Sequence, residues 1–79
     1  MSKLEKFKEQ MQIELNANAH KGDWEEFVNS PEIHRELSHH IFKLQKAEQN
    51  NNKDDIREHI ADCANILMML GNAYGLYEE

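Results

Sequence analysis

The 79-residue chain has one cysteine, Cys63, one proline, Pro31, and three glycines. A lone thiol excludes an intrachain disulfide, and a tetrahedral zinc site would have to draw on histidines or carboxylates. No apolar run approaches the ~20 residues of a membrane span; the longest, Ile66 to Leu70, has five. The opening MSKLEKFKEQ offers no apolar stretch for a signal peptide, so a cytoplasmic protein with a reduced thiol is expected. Positive charge is also scarce: nine Lys and Arg face fifteen Asp and Glu, for a net −6. Phosphate backbones call for basic patches, so a general nucleic-acid binder is not expected. There is no phosphate-cradling glycine loop, no Ser/His/Asp signature, no strand alternation and no internal repeat.

What is present is helical spacing. Ser2-x-x-Glu5 is a capping box, and Leu4, Phe7, Met11 and Leu15 follow at helical intervals, predicting a helix over about 3–18. Gly22 breaks the pattern, and Asp23-x-x-Glu26 predicts a short helix carrying Trp24, Phe27 and Val28 as a strap over the core. Ser30-Pro31 restarts a helix, with an apolar stripe of Ile33, Leu37, Ile41 and Leu44 running to about Ala47. The mean direction of that stripe lies near His40, which predicts a covered His40 and an exposed His39. QNNN (49–52) reads as a loop, and Asp55-x-x-Glu58 as a second capping box opening a helix that runs to Tyr74. Gly75 suits its C-terminal cap, with Leu76 folding back as the apolar partner.

On the last helix Ile56, Ile60, Cys63, Leu67, Leu70 and Tyr74 form one predicted face, with Met68 and Met69 elsewhere, so residues 66–70 are apolar nearly all round. The expectation is one all-α domain over 1–79, a compact bundle of three long helices and one short. Chains this small recruit disulfides, metal or further copies, so a dimer or tetramer through the C-terminal helix is expected. Cys63 falls on the apolar face and reads as a small hydrophobe, the methionines as core filler, and His34 as surface. The same last helix carries His59, Asp62 and Asn65, three apart, a polar stripe that needs partners wherever it is covered.

HKGDW (His20 to Trp24), followed by a helix hairpin whose second arm reads IADCANILMML (Ile60 to Leu70), resembles the small MazG-like proteins common in phages. These are related to the all-α nucleoside triphosphate pyrophosphohydrolases, and the resemblance spans about Asn16 to Gly75. For active members it implies Glu-Glu-x-x-Glu on one helix and Glu-x-x-Asp on the next. Those carboxylates hold Mg²⁺ for cleavage between the α and β phosphates. Here the first motif falls on His39-His40-x-x-Lys43 and the second on His59-x-x-Asp62. Only Asp62 keeps its type, while Glu36 and Glu58 lie near but out of register. Imidazole and ammonium do not suit Mg²⁺, so no Mg²⁺ and no ordinary pyrophosphohydrolysis are expected.

Three occupants fit the altered pattern. Lys43 with His39, His40 and His59 can meet phosphate directly, Asp62 orienting an imidazole, with Lys21 and Trp24 adding a phosphate contact and a stacking ring. This gives an inactive nucleotide-binding protein: a sensor, a regulator or a sponge for a nucleotide signal. Alternatively His40, His59 and Asp62 hold a transition metal and hydrolysis survives with a changed ion. Or the polar groups satisfy one another, His40 with Asp62 and Lys43 with Asp62 or Glu36, and the protein works by contact with a protein partner.

Overall fold

The computed structural model describes residues 1–19 and 32–78, and every described regular element is an α-helix. The expected short helix, with Trp24, Phe27 and Val28, and the Ser30-Pro31 restart lie outside the described residues. So do Lys21 and Trp24 as site residues.

The first helix, α1, spans Lys3–Ala17. Ser2 caps it by accepting from the Glu5 amide through Oγ at 3.1 Å, and the same hydroxyl donates to Glu5 Oε1. Asn18 closes it, its side-chain amide donating to the Glu14 carbonyl at 2.8 Å. The second, α2, spans Glu32–Gln49. It ends where Asn51 turns left-handed (φ 52°) and the Asn52 amide donates to the Ala47 carbonyl. Asparagine tolerates that conformation better than other side-chain-bearing residues, so it does here what glycine does in most such caps.

The third, α3, spans Lys53–Ala73 and begins two residues before the expected Asp55. Asn52 is the cap: its Oδ1 accepts from the Asp55 amide at 3.2 Å while its Nδ2 donates to Asp55 Oδ2 at 2.9 Å. Asn and Asp cap about equally well, so the loop's last asparagine pre-empts the later signal. Glu58 is then a mid-helix residue. At the far end Gly75 is left-handed (φ 72°), its amide donating to the Asn72 carbonyl and that of Leu76 to Gly71. This is the expected glycine cap. The apolar partner differs: Leu76 is exposed, and Tyr77 lies across Gly71, where an added Cβ would meet the Tyr77 hydroxyl at 2.5 Å.

α3 is the middle element, packed on α2 and on α1, with no close backbone approach between those two among the described residues. Among the described residues, the buried apolar ones are Ile33 and Ala47 of α2 and Ala61 and Ile66 of α3. This corrects the expected inward face of α3. Ile60, Leu67 and Tyr74 are 40%, 52% and 76% exposed, whereas Ala61, Asn65, Ile66 and Gly71 are buried. The reason is steric: the small Ala61 lets α3 lie close to its neighbours and Gly71 makes room for Tyr77, while the bulky stripe is turned outward. α1 buries no residue fully, and Leu4, Phe7 and Ile13 stay exposed. No described helix is long and apolar enough to cross a membrane.

Candidate functional site

Turning α3 by roughly one residue brings its polar stripe inward. Asn65 is buried, and the side chains of His59 and Asp62 are only 15% and 13% exposed. Asn65 anchors the stripe, its Nδ2 donating to the Met11 carbonyl of α1 at 2.9 Å. Glu14 lies one turn beyond Met11, and Asp62 one turn before Asn65. This interhelical hydrogen bond is in the register that sets Glu14 beside Asp62.

Asp62 sits where two groups meet. On the α2 side, His40, His59 and Asp62 each offer a donor atom, all within 4.8 Å of one another. His40 Nδ1 lies 3.5 Å and His59 Nδ1 3.8 Å from the same oxygen, Asp62 Oδ2. The two imidazole rings are 5.9 Å apart and tilted by 39°. On the α1 side, Glu14 and Glu58 form a second group with Asp62, again within 4.8 Å. Both Nδ1 atoms are buried without a hydrogen-bond partner among the described residues, as is Asn65 Oδ1. Their distances to Asp62 Oδ2 exceed the ~2.7–3.2 Å of an N–H···O hydrogen bond.

Electrostatics follow from this layout. Burial holds the His40 imidazole below its usual value, outweighing the upward pull of Asp62 and Glu36, and Lys43 and His59 push the same way as burial. His40 is therefore neutral at pH 7, the form that offers a lone pair. Its other ring nitrogen, Nε2, faces Glu36 Oε2 at 3.8 Å. Burial raises the Glu14 carboxyl, and the like charges of Asp62 and Glu58 raise it further. Burial also pushes the Cys63 thiol up, with Asp62 adding to it, so the thiol is protonated and a poor nucleophile.

Of the residues singled out from the sequence, the structure brings together His40, His59 and Asp62. His39 is exposed, its ring 6.0 Å from that of His40, and it is not among the donors grouped at Asp62. Lys43 is exposed at the rim, near enough to His40 to depress it.

No family model, curated protein or solved structure matches this chain.

Two carboxylates of the cluster were not foreseen. Glu58 had a local signal: Glu58-x-x-x-Asp62 is an i, i+4 pair, which puts two acids on one helix face. Glu14 had none. Its partner is 48 positions away (62 − 14) and depends on the Asn65–Met11 contact.

Proposed function

We propose that this protein is a MazG-like binder of a nucleotide or comparable phosphate compound, held at the three-helix cluster through a divalent cation and not turned over as by a magnesium pyrophosphohydrolase. The observation that supports the reading is the meeting of Glu14, His40, Glu58, His59 and Asp62 around one carboxylate. A phosphate entering this cluster without a cation would meet three acids within a few ångströms. Direct contact with imidazoles and Lys43 is correspondingly disfavoured. A bound cation reverses that sign and leaves Lys43, exposed at the rim, to meet the outer phosphates.

The test is a thermal-shift panel of nucleotides with and without Mg²⁺, Mn²⁺, Zn²⁺ and Ni²⁺, with pyrophosphate release measured alongside. Nucleotide stabilisation that needs a cation, without pyrophosphate, is the expected result, and Lys43→Glu should weaken it about tenfold or more. Release of pyrophosphate would make the protein a hydrolase with a changed metal.

We also propose that the molecule works as a homo-oligomer through α3. Support comes from the outward stripe of Ile60, Leu67 and Tyr74, spaced seven apart on one helix face. The same stripe favours a second reading, in which the protein acts only by contact with another protein. Indifference to every nucleotide and metal would leave that one standing.

A further inference from the structure

We propose that His40, His59 and Asp62 form a site for one divalent transition-metal ion of the zinc, cobalt or nickel class, bound through both Nδ1 atoms and Asp62 Oδ2. This deepens the cation-dependent part of the functional reading and does not require that a nucleotide bind.

The separations carry the argument. A tetrahedral zinc ion with ligand bonds of ~2.0–2.1 Å has donor atoms ~3.3–3.4 Å apart along each edge. The two imidazole–carboxylate separations, 3.5 and 3.8 Å, stand just above that value. They are too long for the imidazoles to be hydrogen-bonded to Asp62, and small rotamer adjustments bring them to an ion held in common. The two Nδ1 atoms are buried with no hydrogen-bond partner among the described residues, a costly arrangement for polar atoms with nothing to bind. An ion would occupy both lone pairs at once.

The surroundings agree. A metal-bound imidazole commonly gives its other N–H to a carboxylate, and Glu36 Oε2, 3.8 Å from His40 Nε2 on the same helix, stands beyond hydrogen-bond reach but a small side-chain rotation away from it. Glu14 and Glu58, grouped on the other side of Asp62, add negative charge that offsets the nearby Lys43. Two nitrogens among three donors favour zinc, cobalt or nickel over magnesium, which takes oxygen ligands in a near-ideal octahedron. Among the described residues three protein donors lie in this group, and a fourth coordination position is open to a further ligand such as water or a phosphate oxygen.

The experiment uses the full chain freed of metal with a chelator, then titrated separately with Zn²⁺, Co²⁺ and Mg²⁺. One equivalent of Zn²⁺ or Co²⁺ is expected to bind, Co²⁺ with visible absorption bands characteristic of nitrogen and oxygen ligands. Mg²⁺ in large excess should not displace it. His40→Ala and His59→Ala should each lose at least tenfold in Zn²⁺ affinity and the Co²⁺ bands, with helix content unchanged by circular dichroism. Glu36→Gln, which leaves all three ligands in place, should lose less than either histidine variant and keep the Co²⁺ bands. Equal affinity for Mg²⁺ and Zn²⁺, full Zn²⁺ affinity in both histidine variants, or no uptake of any ion overturns the site. The wild-type competition decides even if a variant fails to fold. Metal uptake without nucleotide binding would sink the functional reading alone, and nucleotide binding that needs Mg²⁺, with no uptake of Zn²⁺ or Co²⁺, would sink this one alone.

Discussion

Like charges held close in a fold raise each other's pKa, and at Glu14 the proximity of Asp62 and Glu58 adds to the larger effect of burial. A carboxyl whose folded value is raised binds its proton more tightly folded than unfolded. Its contribution to stability is present at low pH and is lost as pH climbs through the raised value. At pH 7 the ionised Glu14 therefore works against the fold. Glu14→Gln should stabilise the metal-free protein at pH 7 by ~0.5 kcal/mol, the scale of partly exposed charge interactions. The gain should fade below pH ~4, where the wild-type carboxyl is protonated in both states. In the presence of Zn²⁺ the order should reverse, because the variant has lost charge near the ion. Chemical denaturation at two pH values, with and without metal, checks all three statements. A variant less stable than wild type without metal would mean that Glu14 is a structural partner and not a strained one.

Between helices, the Asn65–Met11 hydrogen bond is the contact that holds α1 in register. α1 has no fully buried residue and rests on α3 through half-buried ones, so this bond is a large part of what fixes it there among the described residues. Asn65→Ala should cost ~1 kcal/mol overall, since the Met11 carbonyl keeps its place in a helix. Amide exchange should quicken over residues 3–17 more than over α2 or α3, because α1 loses its anchor. Uniform exchange across the three helices would show that α1 is held by something else. The extents of these helices were legible in the sequence because caps are local: Ser2, Gly75 and the polar run before residue 53 act within one turn. The inward face of α3 was not. Apolar periodicity pointed to Ile60, Leu67 and Tyr74, and the fold buries Ala61 and Asn65 instead, since close approach of helices depends on small residues as much as on hydrophobicity. His40 and Asp62 were legible as a pair across the hairpin, because both lie on helices joined by a short loop. Glu14 reaches them from a helix distant in sequence, where no local pattern specifies the contact.

The whole molecule shows more surface than its mass calls for. A 9.3 kDa monomer would expose ~5,000 Å², whereas this chain exposes 6187 Å². Ile60 also borders an apolar groove between α1 and α3, lined by Phe7, Ile56 and Ala61, so the exposed stripe of α3 continues into a concave surface. A second copy that lays the same face there would cover both at once. Leu67→Glu tests this, since Leu67 is 52% exposed in the single chain and lies at the middle of the stripe. Light scattering should find a dimer or larger species for the wild type and a monomer for the variant. The fold of the single chain should survive, because an exposed substitution typically shifts stability by no more than ~0.5 kcal/mol. A wild-type monomer at high micromolar concentration would remove α3 as an interface. If the variant is monomeric but still binds Zn²⁺, the metal site is complete within one chain. If zinc binding disappears along with the dimer, the partner copy supplies either a donor or the cover that keeps water from the two imidazoles.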